Sequence, residues 1–181
     1  MTDPSLGQLL IRPMRLEDVP AVSALDRLSF SLPWPERSFR YEVTENENSR
    51  PWVAEVLTVD GSPHLAAMAV IWVIVDEAHV ATFAVHADHR RKGIGRQLLA
   101  ATLLEAVKEG ALLSHLEVRR SNLAAQALYT DFGYRVVGCR PRYYQDNFED
   151  ALLMTLKPID KDYLTHCISD NTQIQVGGFN G

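Results

Sequence analysis

The sequence predicts a mixed α/β domain: a largely antiparallel central sheet that contains one βαβ unit and carries helices on both faces. Three observations lead there. Two apolar runs flank Asp60-Gly61-Ser62-Pro63, a turn by composition, and read as a hairpin. A third run, His79 to Val85, leads through a glycine-containing junction into a long helical pattern and then another apolar run, the signature of a βαβ unit. Antiparallel strands ahead of such a unit give a sheet of mixed direction.

Each element follows in order. Leu9 to Arg15 reads as a short first strand. Glu17 or Asp18 caps a helix to about Phe30, with Val19, Val22, Leu25 and Leu28 on one face. Ser31-Leu32-Pro33-Trp34-Pro35 breaks it, because a proline excludes helix from the residue before it. A short helix covers Glu36 to about Glu45, and the hairpin strands are Trp52 to Val59 and Leu65 to Val75. Asp76-Glu77 turns the chain into the strand His79–Val85. The helix 94–109 carries Ile94, Leu98, Leu99, Thr102, Leu103, Ala106 and Val107 on its inner side and stops at Gly110. Leu112 to Val118 is a strand. Leu123 to about Phe132 is a helix capped by Ser121 or Asn122, and Gly133 stops it. Two last strands, Tyr134 to Arg140 and Ala151 to Leu156, complete a domain of residues 1–157. Residues 158–181 are more polar and read as a C-terminal extension with a flexible, glycine-rich end.

Composition narrows the function. A hydrophobic content of 46% and a net charge of −5 describe a globular chain without the basic face of a nucleic-acid binder. The longest apolar run, Leu65 to Val75, is too short to span a membrane, and the N-terminus lacks the features of a signal peptide. Cys139 and Cys167 form no disulfide framework, so the expected setting is a reducing cytoplasm. The histidines do not cluster at ligand spacing, so no metal is expected.

The chemistry concentrates at Arg90-Arg91-Lys92-Gly93-Ile94-Gly95. Glycines let backbone approach an anion closely, the first N–H groups of the following helix point at it, and the helix dipole favours its charge. With three cations in front, the junction reads as a cradle for phosphate, most naturally the pyrophosphate of a cofactor. It is neither a Rossmann fingerprint nor a P-loop: Gln97 stands where a third glycine is wanted, and no Ser or Thr follows the lysine.

Around this cradle the chain resembles the GNAT acyltransferase superfamily, and within it the RimI group, which acetylates the N-terminal alanine of a small-subunit ribosomal protein. The matching residues begin with Pro33-Trp34, Ala84-Val85 and the cradle, followed by Leu116-Glu117-Val118-Arg119 with Ser121-Asn122. Ala125, Leu128-Tyr129, Gly133-Tyr134, Tyr143-Tyr144 and Glu149-Asp150-Ala151 with Met154 complete them, over roughly residues 9–157. The resemblance implies a GNAT fold and acetyl-CoA as donor, bound by Ala84, Val85, Arg90, Arg91, Lys92, Gly93, Ile94, Gly95, Arg96, Asn122 and Tyr129. It further implies Glu117 as general base and Tyr129 as general acid toward the CoA sulfur. The bland readings stay beside these: Glu117 paired with Arg119 or another cation, Tyr129 as core aromatic, Asn122 as helix cap. Trp34, Glu36, Tyr143 and Tyr144 are the candidate acceptor contacts, with Asp146, Glu149 and Asp150 able to attract a cationic terminus.

The expected partner is therefore a protein N-terminus, with a ribosomal protein as the natural case and neither nucleic acid nor membrane involved. The chain would act as a monomer or homodimer. Two other functions suit the same residues: an acetyltransferase for small-molecule or lysine amines, and a non-catalytic acyl-CoA-binding regulator. Ala87 and the glycine-free Gln145-Asp146-Asn147-Phe148 depart from the RimI pattern.

Overall fold

Alternating apolar positions in the strands build two cores on opposite faces of one sheet. The computed structural model describes residues 8–58 and 61–176. Its strands are β1 (Leu9–Pro13), β2 (Ser49–Leu57), β3 (Pro63–Ile74), β4 (Glu77–Val85), β5 (Leu113–Arg119), β6 (Arg135–Tyr144), β7 (Glu149–Leu156) and β8 (Thr172–Ile174). The helices are α1 (Val19–Ser29), α2 (Glu36–Thr44), α3 (Ile94–Lys108), α4 (Leu123–Asp131) and α5 (Lys161–His166). The sheet order is β6-β7-β5-β4-β3-β2-β1-β8. Neighbours are antiparallel except β4 with β5 and β1 with β8.

In β3, Ala67, Ala69, Ile71 and Val73 face one core while Met68 and Val70 face the other, as a period of two requires. The first set packs under α3, whose Ile94, Leu98, Leu99 and Leu103 are fully enclosed. The second packs against Val22 and Leu25 of α1 and Phe39 of α2. This is the sheet with helices on both faces that the pattern predicts. Val59 and Asp60 of the predicted hairpin lie outside the described residues.

Two differences have physical causes. β6 continues through Pro141 to Tyr144, beyond the expected end at Arg140. It is an edge strand, so the missing proline N–H costs no ladder bond; the register shifts between Arg140 and Tyr144, and Arg142 takes φ +53°. Tyr143 and Tyr144 therefore end a strand and do not sit in a free loop. The second difference lies after Lys157. There α5 and the residue after it bury Leu164 and Cys167 in the α3 core, and β8 pairs with β1 of its own chain. Gln97 fixes this arrangement: its buried Oε1 accepts the Ser169 N–H at 3.0 Å and the Thr172 hydroxyl. Residues 177–181, expected to be flexible, lie outside the described residues.

One irregularity creates the site. β4 and β5 pair only from Glu77–Leu113 to Val80–Leu116. On the other side of β4 the register skips between Val70 and Ile71, so Ala81 bulges. Beyond this point β4 and β5 splay. Among the described residues, no helix is long and apolar enough to cross a membrane.

Candidate active site

A cleft of about 990 Å³ fills the splay, lined by residues 80–85 of β4 and 116–119 of β5. One end opens at the start of α3. Gly93 is the residue before that helix, at φ +80°, Arg91 has φ +60°, and no side chain caps the helix. The first intrahelical bond runs from Gln97 N to Gly93 O at 3.1 Å, so the N–H groups of residues 94–96 precede the ladder. A Cβ on Gly95 would lie 3.1 Å from Val85 Cγ2 and 3.6 Å from the Phe83 ring. The glycine thus lets α3 begin directly against the end of β4, which brings the cradle and the strand's backbone to the same ligand.

The predicted cofactor residues divide here. Ala84, Val85, Arg90, Arg91, Gly93, Gly95, Arg96, Asn122 and Tyr129 line the cleft. Lys92 and Ile94 do not; the Ile94 side chain is core, and only its N–H belongs to the cradle. The Arg96 guanidinium is occupied elsewhere, by Asp131 and by the Tyr163 hydroxyl at 2.7 Å, and lies against the Phe132 and Tyr163 rings. What Arg96 offers an anion is its backbone N–H. Arg90 Nε donates to Val85 O at 3.0 Å, bracing the turn between β4 and the cradle. His89 sits beside it with a buried, unpartnered Nδ1. Burial, then Lys92 and His86, lower its pKa. Asn122 caps α4, accepting the Ala125 N–H at 3.1 Å, as the bland reading has it.

Glu117 and Tyr129 both line the cleft. Glu117 is on β5 just beyond the last pair with β4, half-buried, 3.2 Å from Arg140 Nη2. Its cation is Arg140 of β6 and not Arg119, because β6 reaches over from beyond β7. Tyr143 also contacts it; a hydrogen bond to Glu117 raises the Tyr143 phenol pKa. Tyr129 is 7% exposed and packs on Tyr134 at 5.7 Å between centroids, so it is both core aromatic and cleft wall. Burial pushes its pKa well above the ordinary phenol value, and Tyr144 adds to this. The phenol therefore keeps its proton throughout the neutral range.

The far end of the cleft lies between the α1–α2 loop and the β6–β7 loop. Arg119, two residues after Glu117 on the same face of β5, joins them. Its guanidinium reaches Asp146 at 2.9 Å, Ser31 Oγ at 3.1 Å and Glu149 at 3.3 Å, and stacks 3.8 Å from the Tyr144 ring centre. Ser31 in turn donates to Asp146. Glu149 is held down at about 2 by hydrogen bonds from the Ser121 hydroxyl and N–H. Of the predicted acceptor contacts, Trp34 and Tyr144 line the cleft. Trp34 also packs on Phe39 and Trp72. Tyr143 stands outside the cleft wall, 45% exposed. Glu36 is not brought to the site; it faces solvent and pairs with Arg40 at 3.1 Å. Asp150 pairs with Arg120 at 3.1 Å. Sequence reasoning gave Ser31 and Asp26 no role at the site and saw Arg119 only as a possible partner of Glu117. The available signals were the Glu117/Arg119 spacing and an acidic residue on the apolar face of α1.

Residues 19–134 match the Acetyltransferase (GNAT) family. The chain belongs to the GNAT acetyltransferase family. It is an acetyl-transferring enzyme of a family whose donor is acetyl-CoA, and the cleft suits that donor: free N–H groups and Arg91 for pyrophosphate, a splayed strand for an extended arm. A Bacillus subtilis protein, a putative [ribosomal protein bS18]-alanine N-acetyltransferase, is 38% identical over 144 residues, 80% of this chain and 92% of its own. The Escherichia coli K12 [ribosomal protein bS18]-alanine N-acetyltransferase is 36% identical over 148 residues, 81% of this chain and 95% of its own. A crystal structure of the ribosomal-protein-S18-alanine N-acetyltransferase from Escherichia coli superposes with a TM-score of 0.73 at 34% identity, covering 84% of this GNAT chain and 94% of that one. The NatC complex bound to Gag peptide and CoA, at 20% identity and a TM-score of 0.73 over 83% of this chain and 98% of its own, shares the fold.

Proposed function

We propose that this enzyme acetylates the α-amine of a protein N-terminus, with an alanine-initiated ribosomal protein as its acceptor in the cytoplasm. The observation that carries the reading is that Glu117 and Tyr129 line one cleft together with the start of α3 and the α1–α2 and β6–β7 loops. The relatives that act on a ribosomal alanine terminus support the acceptor.

The chemistry follows from the positions. The pyrophosphate of acetyl-CoA takes the N–H groups at the start of α3, and the pantetheine arm runs along β4 to the backbone of Val85. Glu117 removes a proton from the acceptor ammonium, directly or through a water. The freed amine attacks the thioester carbonyl and forms the C–N bond. As the C–S bond breaks, the Tyr129 hydroxyl gives its proton to the departing sulfur, and the extra proton on the new amide nitrogen leaves to restore the phenol. A base and an acid so placed contribute about 10²–10⁴-fold each.

The test is acetyl transfer to Ala-, Ser- and Met-initiated peptides, N-blocked lysine peptides and polyamines, with the modified atom located by fragmentation mass spectrometry. Acetate on the free α-amine, with alanine preferred, is the expected result. Transfer only to lysines or polyamines overturns the acceptor, and tight acetyl-CoA binding with no transfer overturns catalysis.

A further inference from the structure

Asp26 is a carboxylate where the helical pattern of α1 calls for an apolar side chain. It shares the buried face of α1 with Val19, Val22 and Leu25 and has no exposed surface. Its Oδ2 accepts the Trp34 backbone N–H at 2.7 Å, which ties α1 to the α1–α2 loop. Its Oδ1 is equally buried and has no hydrogen-bond partner. Yet Asp26 lines the cleft, among Ser29, Phe30, Ser31 and Trp34 at the acceptor end. Burial raises its pKa, against the Trp34 N–H and Arg27. Of the cations nearby, Arg27 Nη1 donates to Ser23 and Arg119 is bound to Asp146 and Glu149, and neither hydrogen-bonds Oδ1.

A buried carboxylate oxygen without a donor destabilises the free protein, and a ligand that supplies the donor recovers that loss. The ligand is not the donor substrate. Acetyl-CoA is polyanionic at its nucleotide end, which belongs at the cradle, and the N–H groups of its acyl arm are two neutral amides, which bring a buried carboxylate no countercharge. The acceptor brings a cation, and it enters between the two loops beside Asp26.

We propose that Asp26 Oδ1 is an acceptor-binding group that takes a hydrogen bond from the substrate's ammonium on the α1 side of the cleft, before Glu117 removes a proton. The two oxygens then have separate jobs: Oδ2 shapes the loop, and Oδ1 reads the charge of the incoming amine. This rests on the amine-acetylating reading above and deepens it.

Asp26→Asn separates the jobs, because the amide oxygen still accepts the Trp34 N–H while its NH₂ group repels an ammonium. The peptide KM should rise about ten-fold or more, the range for a lost charged hydrogen bond. The kcat should stay within about three-fold, acetyl-CoA affinity should not move, and hydrogen exchange at the Trp34 amide should match wild type. A des-amino peptide, with hydrogen in place of the α-ammonium, should bind wild type and variant equally as an inhibitor. Asp26→Ala supplies the contrast, with faster exchange at Trp34. An unchanged peptide KM in Asp26→Asn overturns the proposal, as does equal weakening of the des-amino peptide or faster Trp34 exchange in the same variant. If wild type acetylates only lysines or polyamines, the N-terminal reading fails alone, and the same KM comparison on that amine still decides the role of Asp26.

Discussion

Ser31 and Asp146 are 115 residues apart and hydrogen-bond across the mouth of the cleft, with the Arg119 guanidinium donating to both. The bond fastens the α1–α2 loop to the β6–β7 loop, the two segments through which an acceptor must pass. The groups are only partly sheltered, with Arg119 and Asp146 side chains 21% and 22% exposed. Ion pairs this open to solvent add little to stability. Their effect should therefore appear in acceptor binding. Asp146→Ala should raise the peptide KM several-fold and lower Tm by no more than about 4 °C. Added salt should move the wild-type KM toward that of the variant, since salt screens the exposed pairs. A KM indifferent to both changes removes the latch from the account.

Glu117 and Tyr129 make separable predictions. Glu117→Gln and Tyr129→Phe should each lower kcat by about 10²–10⁴-fold and leave acetyl-CoA affinity near wild type by calorimetry. The raised Tyr129 pKa carries a sign: the folded state holds that proton above the ordinary value near 10. Tyr129 therefore causes no loss of activity as pH rises from 7 to about 10. If the alkaline limb of kcat disappears in Tyr129→Phe, the phenol titrates in that range and the assignment of its environment is wrong.

Gly95 and Gly93 should fail differently on substitution. At Gly95 a Cβ would press on Val85 Cγ2 at 3.1 Å, with Phe83 and Leu128 close behind. Gly95→Val should force α3 away from β4, lowering both Tm and acetyl-CoA affinity. Gly93 has open space for a Cβ, at 4.0 Å from Gln97, but φ is +80°. Gly93→Ala should cost about 1–2 kcal/mol through backbone strain, with a smaller effect on the ligand. Thermal melts and calorimetry on both proteins distinguish the two cases.

How far this site is legible in the sequence depends on how local each contact is. The cradle and the bulk of the strands and helices are written in short patterns of glycine, alternation and spacing, while Glu117 and Tyr129 stand out only through the resemblance to the family. Partners chosen across the sheet are not. Nothing near Glu117 says that β7 inserts between β5 and β6, or that Arg140 reaches it from beyond β7. Arg96 looks like one more cation of the cradle until Asp131 and Tyr163, distant in sequence, take its guanidinium. Gln97 reads as a missing glycine, and its work is to hold residues 169–172.

Glu149 predicts a pH signature. Hydrogen bonds from Ser121, with Asn147 and Arg119 assisting, hold its folded-state pKa at about 2, below the ordinary 4.5. A depressed carboxyl pKa stabilises the fold above the unfolded value and loses that contribution as pH falls through the folded one. Glu149→Gln should therefore be less stable than wild type at pH 7, with the gap closing between about pH 4.5 and 2. Urea unfolding across that range checks it. A gap that is constant with pH would assign the loss to shape and not to charge.

The segment after Lys157 should prove structural and linked to the donor end of the site. Leu164 is 1% exposed within the α3 core, so Leu164→Ala should cost about 2–5 kcal/mol. Ending the chain at Lys157 would also uncover the β1 edge, strip Gln97 of its partners and free Arg96 from Tyr163. The truncated protein should melt lower and bind acetyl-CoA more weakly, because α3 carries the cradle and is anchored by this segment. Tyr163→Phe probes the last contact: it removes the hydroxyl that accepts from Arg96 and donates to Asp131, and leaves the ring stacking. Acetyl-CoA affinity should shift in that variant while Tm barely moves. If truncation lowers Tm and leaves affinity untouched, the segment supports the sheet alone and the link to the cradle is broken.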